Sequence, residues 1–531
     1  MARFPSPTCM PPARCWAATT TRVRVVLGFP SSLAGSPAVS PRGRNECHQP
    51  ISPRCIRRRP LGAAIRLHWH KRCGMRAESK AELEKIVGPT AVDERPVRDL
   101  WPLAIMDERA GTVPPRVLVV RPTGRDQVAD VLRWATSKRV AVTPMGGGSG
   151  VCGALAPAAG EVVMDMGALD RVLEIDETNL ICTCEAGVNG YALEQQLNAR
   201  GLTLGHYPSS LPGTTVGGLI ATRSSGQESS RYGSIEDMVL GLAVVLPDGT
   251  FAAPRPGPRS AAGPALHQVF LGAEGGLGVV IGAVLRVHRL PEATVGRGYA
   301  FGDLRAGLAC MRSVMQAGIR PLVMRLYDAE DTLFSGYEVQ EGECVLVIAT
   351  AGLAEVAEAE SRAVERFAGG ARGLGEEPWQ RWQRHRFDLS AERLQAFLTP
   401  AGAYLDTIEL AASWTVLAEL HARVKPAIAV GGLALCHFSH AYEQGCCAYF
   451  TFGGSGDDEV EARAAYVRAW EGAMSAALEL GATISHHHGV GQARARWVAD
   501  ELGGWMRVWR AVKAGIDPEG IMNPRAVGGS R

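Results

Sequence analysis

The sequence predicts an α+β chain of more than one domain, and three observations predict it. From Arg116 onward, short apolar runs alternate with segments of helical spacing. Between Gly205 and Leu242 the chain crowds small and hydroxyl-bearing residues together, with no acid from Gly205 to Gln227. Beyond Pro291 the spacing becomes mixed, with apolar runs such as CVLVIAT and CAYFTF set among helical patterns. A chain of 531 residues is also too long for one core, so two or three domains are expected.

Hydrophobic content of 46% and charged content of 21% describe an ordinary globular protein. The net charge of +2 hides an asymmetry, because residues 1–74 hold 12 Arg, one Lys and a single acid, Glu46. The remainder is acidic, which argues against nucleic acid as a partner. The leader is rich in Arg and Pro and weakly periodic, so disorder is expected there. Its composition is that of a transit peptide, but prolines interrupt it and no amphipathic helix emerges. A translation start at Met75 is the preferred reading, since helix-forming sequence (AESKAELEKIVG) follows at once. The 13 cysteines lack metal spacing or a disulfide framework, which fits a reduced, cytoplasmic compartment. No run approaches the ~18 apolar residues of a membrane span.

In chain order, RVLVV (116–120) reads as a strand and the segment up to Lys138 as a helix, with Val128, Val131, Leu132 and Ala135 on one face. VAVTP (140–144) is a strand entering a glycine loop, and EVVMDM, RVLEI and LICTC are three more. GVNGYALEQQLNARG is a capped helix that ends on a left-handed Gly201. VLGLAVVLPDGTF is a strand and turn, GAEGGLGVVIGAVLRVHRL a second glycine turn with a long strand, and DEVEARAAYVRAWEGAMSAALELG a long helix.

The stretch 205–242 reads as a ligand-clasping loop. Ser209, Ser210, Thr214, Thr215, Thr222, Ser224 and Ser225 offer hydroxyls, and its glycines permit close approach to an anion such as a pyrophosphate. A flexible linker would not carry Val216, Leu219 and Ile220, or the stiffening Pro208 and Pro212. Gly148-x-Gly150-x-x-Gly153 matches GxGxxG literally, yet Pro157 and Gly160 stop the helix that a Rossmann unit needs there.

Three features carry further chemistry. In a strand, consecutive His486, His487 and His488 could place at most two side chains in one pocket. With no carboxylate nearby in sequence they suit phosphate contact or acid/base work better than metal. Alternation pairs Tyr449 with Thr451 on one strand face, opposite Phe450 and Phe452. Arg325 is a lone cation between Met324 and Leu326.

With these residues in view, the sequence resembles the FAD-binding vanillyl-alcohol-oxidase superfamily over roughly residues 90–525, and within it the alkyldihydroxyacetonephosphate (alkylglycerone-phosphate) synthases. The general motifs are PMGGGSG (144–150), SSLPGTT (209–215), TRSSG (222–226), YGSIEDMV (232–239) and AEGGLGV (273–279). The resemblance implies a bipartite PCMH-type FAD-binding domain at 113–291. A helical segment (75–112) precedes it, an α/β cap domain (292–480) follows, and a C-terminal helical return (481–531) completes the active site. FAD would be held by Pro144, Met145, Gly146, Gly147, Gly148, Ser149 and Gly150, by Ser209, Ser210, Leu211, Pro212, Gly213, Thr214 and Thr215, by Thr222, Arg223, Ser224 and Ser225, and by Ala273, Glu274, Gly275, Gly276, Leu277, Gly278 and Val279. Met145 stands where a His or Cys attaches the flavin covalently in some relatives, so non-covalent binding is expected.

MRLYD at Arg325, TIELAASW (407–414), AYF at Tyr449 and SHHHGVG (485–491) resemble the synthase branch. They imply a transferase of ether-lipid synthesis that exchanges the acyl chain of an acyl-dihydroxyacetone phosphate for a fatty alcohol through a flavin N5 adduct. Tyr449 would move the proton, His486, His487, His488 and Arg325 would surround the phosphate, and Arg393 stands nearest to a second substrate arginine. A homodimer and peripheral membrane contact are implied as well, while the chain carries no SKL-type peroxisomal tail. The alternative is an FAD-dependent 2-hydroxy acid dehydrogenase or oxidase of D-lactate or glycolate. Those relatives carry a metal-binding HxGDGNxH segment, where this chain has CHFSHAYEQGCCAYF, keeping His437 and His440 but not Gly-Asp-Gly-Asn.

Overall fold

The computed structural model describes residues 77–255, 257–388 and 398–529; the basic leader and Arg393 lie outside the described residues. A helix over 77–87 buries Leu83 and Val87 and leads into strand β1 (Val92–Pro96). With β2 (Arg116–Val120), β3 (Val142–Met145) and β4 (Val162–Asp165) it forms a sheet of order β1-β2-β4-β3. β2, β4 and β3 run parallel, and β2 is buried from Val117 to Val120, as strands covered on both faces require. β3 begins two residues later than its apolar run predicts. Helix Arg125–Lys138 closes on a left-handed Arg139 (φ 55°), and the Val140 amide bonds back to Ala135 O, which takes Val140 out of the ladder.

Strands β5 (Val172–Asp176), β6 (Ile181–Glu185), β7 (Leu202–Thr203), β8 (Val239–Val245), β9 (Phe251–Ala252), β10 (Val279–Arg286) and β11 (His288–Arg289) follow. They make an antiparallel sheet of order β5-β6-β10-β8-β9 and a small β7–β11 pair. Helix Gly190–Asn198 starts where Asn189 Oδ1 accepts the Ala192 amide (3.0 Å), and Gly201 beyond it takes φ +71°. The stretch 205–242 is more ordered than its composition suggests. It folds into short helices Val216–Thr222, Ser229–Tyr232 and Ile235–Met238, anchored by buried Val216, Leu219 and Ile220.

The remaining strands are β12 (Ala293–Phe301), β13 (Val323–Tyr327), β14 (Cys344–Gly352), β15 (Arg372–Gly375), β16 (Ala403–Ser413), β17 (Leu433–Ser439) and β18 (Gly445–Ser455). Their order is β15-β12-β14-β13-β17-β18-β16, with antiparallel neighbours throughout. One face sends Leu326, Phe438, Ile408 and Phe450 into a core shared with helices Leu304–Gln316, Leu417–Ile428 and Glu459–Glu479. Strand alternation turns the neighbouring residues the other way. The register places Glu409 opposite Tyr449, Tyr449 opposite His437, and His437 opposite Tyr327, in one row across four strands.

The chain end returns to the first sheet. Val142 N donates to Ile521 O (2.7 Å), Asn523 N donates to Val142 O (2.9 Å), and Ile521 and Met522 are buried. Among the described residues no helix is long and apolar enough to cross a membrane.

At the end of β13 in the large sheet, Asp328 starts helix Ala329–Phe334, and its carboxylate is 2.5 Å from Lys425 Nζ and 2.9 Å from His421 Nε2. Burial opposes its charge, but His421 and Lys425 outweigh burial and hold the carboxyl below its ordinary value. That stabilisation is therefore present above the unfolded value near about pH 4 and is lost as pH falls through the lower folded value. Asp328→Asn is expected to lower stability by about 3–5 kcal/mol in urea unfolding at pH 7. It is also expected to flatten the acid limb of the stability curve below that pH.

Candidate functional site

Three segments distant in sequence meet around the end of β3. A Cβ on Gly147 would overlap the Gly213 carbonyl oxygen, and one on Gly275 would stand 2.7 Å from Pro144 Cδ. Ser149 Oγ and Thr214 Oγ1 are 2.9 Å apart. Gly148 turns with φ +68° into open space, where the nearest atom to an added Cβ is 4.0 Å away. Among the described residues, no acceptor takes the amides of Gly146, Gly147, Gly148 or Ser149. Such a turn, with amides left free of protein acceptors and open space beside Gly148, fits the pyrophosphate of a dinucleotide.

Several hydroxyls predicted to face that ligand are engaged inside the protein instead. Ser224 Oγ lies 2.7 Å from His206 Nε2, Ser225 Oγ 2.6 Å from Ser234 Oγ, and Thr215 Oγ1 accepts the Gly218 amide. Thr222 Oγ1 donates to Gly218 O, Thr214 Oγ1 to Ser210 O, and Ser209 Oγ accepts from Gln227. Leu211, Pro212 and Gly213 form a single 3-10 turn. Arg223 ends its helix in left-handed geometry, and its half-exposed guanidinium binds Glu236 at 2.8 Å. Ala273, Leu277 and Val279 are buried, and Gly276 and Gly278 are tightly backed by Ala526 and the Val245 carbonyl. The buried Glu274 carboxylate accepts the amides of Val490 (2.7 Å), Gly491 (2.9 Å) and Val527 (3.1 Å). Arg223 and Glu274 can therefore offer a dinucleotide little more than backbone.

The second half of the site lies on the polar row of the large sheet. The Tyr449 ring stacks on His437 (4.7 Å, 20°) and lies near-parallel to His487 (5.9 Å) and edge-on to His488 (5.7 Å, 89°). Burial, and after it the charge of Glu409, push its phenol above the ordinary range against the opposing influence of Thr407 and Arg325. Arg325 Nη2 donates to His437 Nδ1 at 3.1 Å and its guanidinium lies over Tyr327, while the buried Arg325 Nε has no partner among the described residues. Asp331 Oδ2 is 3.3 Å from the same His437 nitrogen.

The three histidines occupy a bent loop rather than a strand, so strand alternation does not govern where their side chains point. The loop curls over Glu409, whose Oε1 accepts the amides of His486, His487 and His488 at 3.3, 3.3 and 2.9 Å. His488 Nδ1 lies 3.0 Å from Glu409 Oε2. Tyr442 Oη is 2.8 Å from His486 Nε2, and the His440 ring packs about equally against His486 and His487. Burial lowers His486 to about 4 and also takes His487 and His440 well below the usual imidazole range. All three are neutral at pH 7. The donor atoms of Cys447, His486 and His487 lie within 4.8 Å of one another, a grouping the sequence does not announce.

Sequence reasoning missed Glu409, Arg494 and His206 as site residues. Glu409 and Arg494 are fully buried and paired; Arg494 also donates to Ile484 O (2.7 Å), Gly489 O (3.0 Å) and Cys152 Sγ (2.7 Å). His206 is also buried, its Nδ1 has no partner among the described residues, and burial lowers it to about 3.

Comparison with known proteins agrees with this geometry. A domain family described as an FAD binding domain matches residues 117–253, and one described as the C-terminal domain of FAD linked oxidases matches 290–527. The chain is 31% identical over 446 residues to the alkyldihydroxyacetonephosphate synthase of Dictyostelium discoideum, covering 77% of this chain and 72% of that one. It is 32% identical over 437 residues to the uncharacterized FAD-linked oxidoreductase YgcU of Escherichia coli, covering 78% and 89%. A crystal structure of an alkyldihydroxyacetonephosphate synthase superposes with a TM-score of 0.71 at 26% identity, covering 85% of each chain.

Gly147→Ala tests the cradle. The added methyl meets the Gly213 carbonyl, so the purified variant is expected to lose most of its FAD absorbance relative to protein. Circular dichroism should stay close to that of the parent, with an overpacking cost of about 1–3 kcal/mol.

Proposed function

Because the chain belongs to the FAD-linked oxidase family, of vanillyl-alcohol-oxidase type, and is an FAD-dependent enzyme, we propose that it acts as an alkylglycerone-phosphate synthase-like transferase. In this reading the acyl carboxylate of an acyl-dihydroxyacetone phosphate leaves, a fatty alcohol adds at the same carbon, and no net oxidation occurs. One C–O bond breaks, another forms, and the proton lost by the alcohol is balanced by the carboxylate released.

FAD, when bound, supplies the electron sink that such a carbon needs. The chain's own residues supply the rest. Tyr449 is the proton-transfer group, and the His437 and His487 rings pack against its own and fix its orientation. Arg325, with its unspent Nε, and the arc His486, His487 and His488 are the phosphate contacts. Arg393 is proposed as a further contact on the resemblance alone. The observation that carries the reading is the row Tyr327–His437–Tyr449–Glu409 beneath the histidine loop, with the Arg325 guanidinium against His437 and Tyr327, in place of the HxGDGNxH metal segment of the hydroxy-acid enzymes.

The likeness to the glycolate oxidase subunit GlcD of Bacillus subtilis, 28% identical over 417 residues, favours a second reading as a 2-hydroxy acid dehydrogenase or oxidase. One experiment separates the two. The anaerobic holoenzyme is mixed with palmitoyl-dihydroxyacetone phosphate and labelled hexadecanol. The expected result is labelled alkyl product, reduced about 10²–10⁴-fold in Tyr449→Phe. Lasting flavin reduction by D-lactate or glycolate, without ether product, would sink the synthase reading.

A further inference from the structure

We infer that Glu409 is a positioning residue of this site: it shapes His486–His488 into an anion-binding arc and, through Arg494, joins that arc to the flavin loop. The inference rests on the reading above, in which the arc contacts the substrate phosphate.

The geometry differs from that of an ordinary buried ion pair. Glu409 and Arg494 are both wholly inaccessible to solvent. A buried pair is by itself weak evidence of a stabilising role, because apolar side chains of the same volume often serve as well. Here one carboxylate oxygen is spent on the histidine segment itself. Glu409 Oε1 receives the Ser485 hydroxyl (2.9 Å) and three successive amides. Three consecutive N–H groups converging on one atom bend the backbone into a tight concave turn, which obliges the three side chains to fan outward. The fan is visible in the rings, with interplanar angles of 81° between His486 and His487 and 73° between His487 and His488. The second oxygen pairs with Arg494 and lies 3.0 Å from His488 Nδ1.

Arg494 extends the constraint. Its donors to Ile484 O and Gly489 O bracket the histidine turn on both sides, and Nη1 also reaches Cys152 Sγ, just beyond the glycine loop. The Ala493 amide bonds Cys152 O at 2.9 Å, and a Cβ on Gly491 would overlap the same carbonyl. Phosphate arc and flavin loop are thus one rigid piece, with Glu409 at its centre.

The test uses the FAD-loaded full chain, with inorganic phosphate and palmitoyl-dihydroxyacetone phosphate as probes. Glu409→Gln keeps the shape and removes the charge; Ser485→Ala removes the hydroxyl's contacts to Glu409 and Gly489 O and leaves the ion pair whole. A positioning role predicts weaker phosphate binding, by about tenfold in Ser485→Ala and more in Glu409→Gln. KM for the acyl substrate should rise more than kcat falls, with the flavin spectrum unchanged in Ser485→Ala. If Glu409→Gln fails to fold, Ser485→Ala alone decides. Unchanged phosphate affinity in either folded, FAD-loaded variant, beside a parent enzyme that binds phosphate and makes ether product, would reduce Glu409 to a structural ion pair. Absence of phosphate binding and ether product in the parent would instead remove the functional reading beneath the inference.

Discussion

One buried charge pair organises this molecule. Glu409 comes from the middle of β16 and Arg494 from the loop after the long C-terminal helix, and neither has any contact with water. Burial alone would push the Glu409 carboxyl up; the Arg494 charge and then His488 reverse this and hold it well below its usual value. An ionised carboxylate at that depth must have every lone pair occupied. It is satisfied by a whole peptide turn, which is why the histidine loop has one shape. The same demand on Arg494 draws in carbonyls on both sides of the loop and a thiol beside the glycine turn.

The flavin cradle obeys a different logic. Its specificity comes from side chains that are absent. Gly147 lets two loops touch, Gly275 lies against Pro144, and the amides left over at 146–149 point at nothing else in the described chain. Many hydroxyls nearby hold the loops to one another and leave the backbone as the donor surface. Preorganised amides need no reorientation when an anion arrives, so the ordering cost is met during folding.

Much of this was legible in the sequence, and the parts that were not share a cause. Period-2 runs and glycine turns are local, so strands such as RVLVV, LICTC and CVLVIAT and the left-handed Gly201 read directly. The alternation that set Phe450 and Phe452 against Tyr449 and Thr451 also survives in the sheet. Side-chain direction at special backbone positions is not local: Arg223 ends a helix left-handed and swings to Glu236, while Glu274 spends itself on a segment more than 200 residues away. Glu409 looked like one acid in a strand and Arg494 like one of many surface arginines. Only their meeting across 85 residues of chain makes them a pair. The histidines appeared strand-like because nothing in SHHHGVG reveals the carboxylate around which the loop bends.

The return of the chain end to β3 bears on how this protein is made. Val142 emerges early in synthesis, yet its ladder partners are Ile521 and Asn523, and the Glu274 carboxylate waits for the amides of Val490, Gly491 and Val527. Contacts of such sequence separation form late, because the intervening chain must first be closed into a loop. While the ribosome is still translating, the first sheet therefore stands with an open edge beside the glycine loop, and the site has only part of its wall. Completion of the site is in this sense a late event: the wall that Val490, Gly491 and Val527 build on Glu274 closes only after those residues have been made.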